Sequence, residues 1–69
     1  MKVEAMIEVF IEHWTGPYGT AEYRSSVWWD GHRIARGRKA FTDADDCESV
    51  VLEFCVKALG KKPDKVTRL

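Results

Sequence analysis

The 69-residue sequence has no net charge, because eleven Lys and Arg side chains balance eleven Asp and Glu side chains. Proteins that coat nucleic acid regardless of its sequence depend on excess positive charge, so that class is disfavoured. The chain also has no apolar run close to the roughly 20 residues of a membrane span, and we expect no membrane partner. Its first residues alternate in polarity, and we therefore expect no cleaved leader.

The chain has only two cysteines, and their spacing does not suit a disulfide. Cys47 and Cys55 are eight residues apart in the chain. On one helix they would lie ~12 Å apart along the axis, which is beyond the reach of a disulfide. Reduced thiols of this kind are typical of the cytoplasm, which is the location that we expect.

Motifs that hold cofactors are missing as well. His13, His32 and the two cysteines form no C-x-x-C or H-x-x-x-H pair, so a zinc site is not predicted. The loop around Tyr18 lacks the glycine spacing that cradles phosphate. Both cysteines fall on an apolar helix face, which argues against a nucleophilic thiol. We expect no cofactor, no metal and no enzymatic activity.

What the sequence does contain is strong alternation of polarity. In residues 3–14 apolar side chains alternate with glutamates, which predicts a strand with one buried face. A loop with two glycines and a proline follows at 15–20, and a second strand is predicted at 21–29. Asp30 and Gly31 both tolerate the positive φ of a type I′ turn, so a third strand should follow at 32–41.

A two-residue turn also predicts how the second and third strands pair. Because side chains alternate, Trp28 and Trp29 must point to opposite faces, and one of them joins Val27 and Ile34 in the core. The opposite face would carry Trp28 with Arg24 and Arg33. The predicted pairs are Trp29 with His32, Val27 with Ile34, and Ser25 with Arg36.

Residues 42–59 have the pattern of an amphipathic helix. Thr42 is predicted as the N-cap, with Asp45 three residues later completing a capping box. Gly60 is predicted as the stop signal. The apolar stripe that should pack on the sheet consists of Cys47, Val50, Val51, Phe54, Cys55 and Ala58.

Three further apolar side chains lie outside this stripe, namely Leu52, Val56 and Leu59. Either the C-terminal tail covers them, by folding back or by adding a short fourth strand, or they form a symmetric contact between two copies of the chain. The predicted fold is α+β: a three-stranded antiparallel sheet (β-β-β-α) with one helix on one face. A chain this short has room for one small domain, residues 1–69, as a monomer or a homodimer.

The charges are segregated although their total is zero. The net charge is −3 for residues 1–23, +4 for 24–39, −5 for 40–53 and +4 for 54–69. Opposite blocks can pair across the fold, or a basic block can meet a partner. The basic block of the hairpin contains Arg24, Arg33, Arg36, Arg38 and Lys39.

The stretch from Tyr23 to Leu59 resembles the last two strands and the final helix of a double-stranded RNA-binding domain. The resemblance consists of a strand, a tight turn, a strand and a long amphipathic helix. In that family, lysines at the start of the final helix reach phosphates across the major groove. This chain has Asp43, Asp45 and Asp46 there, so the resemblance implies a similar shape without that RNA contact.

Aromatic and basic side chains share the sheet face that one helix leaves uncovered. Such a set suits a protein partner, where Trp, Tyr and Arg dominate binding, or unstacked bases. It also occurs as ordinary cross-strand pairing. The interleaved glutamates favour a protein over a polyanion. The candidate partner-binding residues are Phe10, Trp14, Tyr18, Arg24, Trp28, Arg33, Arg36, Arg38 and Lys39.

In size, and in the run from strand-turn-strand into an amphipathic helix, the chain resembles some anti-CRISPR proteins, which are small phage-encoded inhibitors. The resemblance implies a non-enzymatic protein that docks on a host protein or nucleoprotein and blocks its site. The alternative is a small module that binds RNA or single-stranded DNA through the basic hairpin.

Overall fold

Residues 5–69, which the computed structural model describes, form a four-stranded mixed sheet with one helix against it. The strands lie in the order β3-β2-β1-β4; β1, β2 and β3 are antiparallel, and β4 runs parallel to β1. The predicted α+β class, the antiparallel strands and the fourth strand are confirmed. The elements are β1 (Ile7–Thr15), β2 (Ala21–Trp29), β3 (His32–Arg36), α1 (Ala44–Phe54) with a π-helical extension (Cys55–Leu59), and β4 (Lys65–Arg68).

The alternation in β1 decides which side of the sheet carries the core. Ile7, Val9 and Ile11 point to the helix side, where all three are buried. Residues 3 and 4 of the predicted first strand lie outside the described residues. The partners of the three buried residues on β2 are Trp29, Val27 and Ser25.

The hairpin between β2 and β3 has the predicted two-residue turn. Asp30 has a φ of 47° and Gly31 a φ of 83°, which are the two positive values that a type I′ turn requires. Trp29 therefore pairs with His32, and Trp28 pairs with Arg33. This part of the predicted register is confirmed.

The rest of the predicted hairpin register is wrong, because β3 contains a bulge. Val27 pairs with Ala35 instead of Ile34, and Ser26 instead of Ser25 pairs with Arg36. Ile34 is the extra residue, and it is 47% exposed. One inserted residue moves every later side chain of the strand to the opposite face, so Ala35 packs against the core and Arg36 leaves it.

The third strand is also shorter than predicted, since it ends at Arg36 and not at residue 41. The Gly37 N–H still donates to the Ser25 carbonyl at 2.8 Å. An isolated bridge follows, in which Tyr23 and Phe41 exchange two backbone hydrogen bonds of 2.7 and 2.9 Å. The segment after β3 therefore stays beside β2 without regular pairing.

The helix begins one residue later than predicted and ends where predicted. Asp43, and not Thr42, is the N-cap, and its carboxylate accepts a hydrogen bond from the Asp45 N–H at 2.8 Å. Gly60 ends the helix in the left-handed conformation, with a φ of 78°. The cap moves because Asp43 has extended backbone angles and an oxygen within reach of the first free N–H groups.

The buried stripe of the helix is narrower than predicted. Cys47, Val51 and Cys55, spaced by four residues, are buried against the sheet, and Leu59 packs beside them. Val50, Phe54 and Ala58, which the prediction placed in the same stripe, are exposed. A spacing of four keeps one line of side chains over the strands, whereas a step of three moves a side chain to the edge of the contact.

The C-terminal tail forms β4, and its Val66 packs against the core. Arg68 joins this strand to the start of the helix, since its Nη2 lies 2.7 Å from Asp45 Oδ1 and its Nε lies 3.0 Å from Glu48 Oε1. The predicted pairing between oppositely charged blocks is therefore observed here. Of the predicted dimer residues, Leu59 packs against the core, Leu52 is half-buried and Val56 is exposed.

Candidate docking face

The sheet has one face without a helix, which we call the open face. It consists of alternate residues of all four strands, and the pairings Phe10 with Ser26 and Glu12 with Arg24 define its centre. Five acidic or polar residues lie among the aromatic and basic ones. The open face comprises Glu8, Phe10, Glu12 and Trp14 of β1, Glu22, Arg24, Ser26 and Trp28 of β2, Arg33 and Arg36 of β3, and Lys65 and Thr67 of β4.

Two aromatic rings occupy the middle of the open face. Phe10 and Trp28 are in edge-to-face contact, with ring centroids 6.1 Å apart and planes at 80°. The indole N–H of Trp28 donates to Ser26 Oγ at 3.0 Å. Both rings are half-buried, so they pair with each other across the strands and still present a surface. Their rotamers are held before any partner arrives.

Trp14 and Tyr18 are the more exposed aromatic side chains. Trp14 lies at the end of the face, 51% exposed, and its indole N–H donates to Glu12 Oε2 at 3.1 Å. Tyr18 is 93% exposed at the tip of the β1–β2 loop. Tyr18 is therefore separate from the two central rings.

The bulge in β3 assembles the basic part of the face. It places Arg36 on the open face beside Arg33, and we call the side chains that one strand contributes to this face its column. Arg36 also lines a hollow together with Arg24, Gly37 and Arg38. Among residues 5–69, Arg33, Arg36 and Arg38 have no carboxylate within 4.0 Å. These three guanidinium groups therefore have no internal counter-charge in the described part of the chain.

Arg24 is the one member of this group that has an ion pair. Its Nη2 lies 3.6 Å from Glu22 Oε2, which is a long contact. Its Nε is buried and has no hydrogen-bond acceptor among the described residues. A buried N–H without an acceptor costs free energy, and because this atom is covered, a group bound at the surface does not relieve that cost.

Lys39, which the sequence groups with these arginines, lies elsewhere. Its Nζ is 5.1 Å from the ring centroid of Phe41, a cation–π contact. It lines a different hollow, which Asp46 and Val50 of the helix border. The predicted basic block is thus divided between the arginines near the open face and a lysine at the helix.

The acidic and the basic residues of the open face lie mainly on different strands. Its β1 column carries Glu8 and Glu12, whereas its β3 column carries only arginines. Glu12 lies opposite Arg24 and instead accepts the Trp14 hydrogen bond. A partner that covers the whole face must therefore meet acidic and basic groups about two strands apart, roughly 10 Å.

Arg36 is one of the predicted partner-binding residues, but the predicted register does not place it on the open face. Strict alternation puts it on the helix side, and the bulge reverses it. One signal was present: Ile34 and Ala35 are adjacent apolar residues between two arginines, which breaks the alternation of the strand. The break shows that a register change occurs there, but it does not say which of the two residues is the insertion.

Burial raises the pKa of both thiols, Cys47 and Cys55, so neither is an activated nucleophile. Within residues 5–69, no three His, Cys, Asp or Glu side chains cluster in a way that could hold a metal ion. In the same range, neither the length nor the polarity of any helix is suited to crossing a membrane.

Comparisons of the chain with protein-family models, with curated proteins and with solved structures gave no match. The resemblances to anti-CRISPR proteins and to double-stranded RNA-binding domains therefore stay predictions.

Proposed function

We propose that this protein is a non-enzymatic binding module that docks on a protein or nucleoprotein through its open face. The observation that carries the proposal is the set of arginines that have no counter-charge among residues 5–69, beside the ordered pair of Phe10 and Trp28. Arginine and tryptophan are the residues that dominate binding energy at protein interfaces. The partner supplies acidic groups for the β3 column and an apolar surface for the rings.

The energetic reasons for docking differ between the two parts of the face. Phe10 and Trp28 are already fixed by their mutual contact, so covering them removes apolar surface from water at little cost in side-chain entropy. Arg33 and Arg36 have no ion pair to break within the described residues. They gain charge-assisted hydrogen bonds on contact with carboxylates.

The glutamates on β1 favour a folded protein surface over a polyanion. A nucleic acid strand that crossed the whole face would bring phosphates to Glu12, where like charges repel, and to Glu8, which has Lys65 of β4 beside it. A protein surface can instead offer a basic group at that position. The face is therefore selective, in keeping with the zero total charge of the chain.

Docking of this kind gives a simple route to inhibition. A module with a small rigid face blocks whatever site it covers, without any reaction of its own. This is the role that the resemblance to phage-encoded anti-CRISPR inhibitors implies, and we propose it here as the setting in which the open face acts.

The proposal is tested by using the tagged chain as bait and comparing variants of the two faces. We expect a stoichiometric partner that is retained by the parent and lost with Arg33→Gln and with Trp28→Ala. Val50→Ala, on the exposed side of the helix, is the matched control and should retain the partner. Circular dichroism of each variant establishes that it is folded. A partner retained equally by all folded variants would contradict docking through the open face.

A second function is favoured by one observation, the alignment of Arg33 and Arg36 in the β3 column, with Arg38 near Arg36. A single strand of RNA or DNA that follows this column avoids the glutamates of β1 and can stack bases on Trp28. Its affinity would fall steeply with salt. A gel-shift series with random RNA and single-stranded DNA that shows no binding at low salt excludes this function.

A further inference from the structure

One end of the open face forms a cleft that the docking proposal does not explain. Two adjoining hollows, of about 320 and 480 Å³, share Arg24 and Arg36 as walls. Trp14 and Pro17 close one side, and Arg38 closes the other. We call this the arginine cleft. Its volume is within the range of small-ligand sites.

We propose that the arginine cleft binds a nucleotide, with its phosphate on the three arginines and its base on Trp14. This proposal depends on the proposed function only for the biological role that is assigned to the open face. The ligand is a small molecule, so the proposal is tested without any docking partner.

The charge of the cleft matches a phosphate monoester. Three guanidinium groups against the single carboxylate of Glu22 leave two net positive charges among the lining residues. A phosphate monoester carries about two negative charges at neutral pH. Guanidinium groups bind its oxygens in pairs of parallel hydrogen bonds, which lysine does not do.

Arg24 provides an observation independent of the charge count. Its Nε is buried and lacks an acceptor among the described residues, although the Glu22 carboxylate lies 3.6 Å from its Nη2. The Nε itself is covered, but the Arg24 side chain is 40% exposed, so its other guanidinium N–H groups can donate to a ligand that brings several acceptor oxygens. A phosphate brings three such oxygens, whereas a hydrocarbon or an amine brings none.

The Trp14 side of the cleft is held in place by the β1–β2 loop. Gly16 N–H donates to the Thr20 carbonyl at 2.7 Å, and Gly19 N–H donates to the Gly16 carbonyl at 3.0 Å. A Cβ at Gly16 would lie 2.9 Å from Glu22 Oε1 and 2.9 Å from Thr20 Oγ1, so the loop backbone packs closely against both side chains. The loop thus lies beside a half-exposed indole, a surface on which a planar base stacks.

Glu22 selects a nucleotide among aromatic phosphate esters. It pairs with Trp14 across the strands, its Oε2 lies 3.6 Å from Arg24 Nη2, and it lines the same hollow as both. A carboxylate there accepts hydrogen bonds from ribose hydroxyls, which a phosphotyrosine side chain does not possess. The cleft thus offers one partner for each of the three parts of a nucleoside monophosphate.

Calorimetric titration at constant ionic strength tests the proposal with four probes: adenosine 5′-monophosphate, adenosine, glycerol phosphate and phosphotyrosine. We expect the nucleotide to bind at least about tenfold more tightly than adenosine, because it alone of the two engages the arginines. It should also bind more tightly than glycerol phosphate, because of stacking on Trp14. Tighter binding of phosphotyrosine than of the nucleotide, or no binding of the nucleotide, overturns the proposal.

Variants locate the site. Arg36→Gln and Arg38→Gln should each weaken nucleotide binding about tenfold. Arg33→Gln is the matched control, because Arg33 is exposed in the same strand but does not line the cleft, and it should leave binding unchanged. Trp14→Leu should reduce nucleotide binding to the level of glycerol phosphate. Equal losses of nucleotide affinity with Arg33→Gln and Arg36→Gln would show that binding reflects general charge attraction, and the proposed site would be wrong.

The two proposals fail separately. If the nucleotide does not bind but a partner is lost with Arg33→Gln, the cleft proposal is wrong and docking stands. If the nucleotide binds with the expected variant pattern and no partner depends on Arg33 or Trp28, docking is wrong and the cleft stands.

Discussion

Asp64 and Ile7 are joined by two hydrogen bonds that fasten the C-terminal strand to the start of β1. The Ile7 N–H donates to Asp64 Oδ2 at 2.8 Å, and the Asp64 N–H donates to the Ile7 carbonyl at 2.8 Å. Lys61 Nζ lies 3.4 Å from the same carboxylate. The hydrogen bond from Ile7, with a smaller effect of Lys61, holds the pKa of Asp64 below its usual range.

This pKa predicts a pH dependence of stability. A carboxyl whose folded pKa is lowered stabilises the fold above its unfolded pKa of about 3.9 and stops doing so as the pH falls through the folded value. In urea denaturation, the parent should therefore be more stable than Asp64→Asn at pH 7, and the difference should shrink as the pH falls below about 4.

The control for Asp64 is Asp46→Asn in the first turn of the helix, because among residues 5–69 the Asp46 side chain accepts no hydrogen bond from a strand. This variant should lack the pH-dependent loss of stability that is expected for Asp64→Asn. A difference between the parent and Asp64→Asn that stays constant from pH 7 to pH 2 would mean that the carboxylate does not hold the strand.

The bulge predicts opposite sensitivities at two adjacent residues. Ile34→Lys should change the free energy of unfolding by no more than about 0.5 kcal/mol, because Ile34 is the exposed inserted residue. Ala35→Lys should cost about 2 kcal/mol or more, because Ala35 packs against the core and a charge would be carried inward. Urea denaturation measures both. A larger loss of stability with Ile34→Lys than with Ala35→Lys would contradict the bulge and favour the register that simple alternation predicts.

The narrow helix stripe predicts a difference between neighbouring valines. Val51 is 4% exposed and Val50 is 51% exposed. Val51→Ala should cost about 2 kcal/mol through lost burial and a residual cavity, whereas Val50→Ala should cost about 0.5 kcal/mol or less. The gain in helix propensity is common to both variants, so the difference between their unfolding midpoints reports burial. Equal losses would mean that Val50 is covered in solution, as it would be in a dimer.

The hydrogen bonds of Arg68 predict that its removal lets β4 open locally. Its hydrogen bonds to Asp45 and Glu48 raise the pKa of its guanidinium and link β4 to the helix. Arg68→Ala should speed hydrogen exchange of the Leu69 N–H, which is bonded to the Ile11 carbonyl at 2.9 Å, before it affects the amides of β2. Lys57→Ala, which removes an ion pair with Glu53 within the helix, is the control. The prediction is contradicted if both variants leave the exchange of Leu69 unchanged.

Much of the fold follows from local patterns. The alternation of β1 places Ile7, Val9 and Ile11 on one face whatever else the chain does, because the period of a strand is two. Asp30 and Gly31 favour the positive φ values of a type I′ turn, and Gly60 favours the end of a helix. The presence of Phe10, Trp14 and Trp28 on a face without a helix is a consequence of the same periodicity.

Other features depend on packing between elements, and the sequence alone does not predict them. The inserted residue at Ile34 is decided by how β2, β3 and the helix fit together, and one residue of shift transfers Arg36 from one face to the other. The direction of β4 and the choice of Val51 over Val50 for the core are likewise set by the helix lying across the sheet. Local sequence thus determined most of the residues of the open face, while tertiary structure decided which arginines belong to that face, because a register is a property of two strands and not of one.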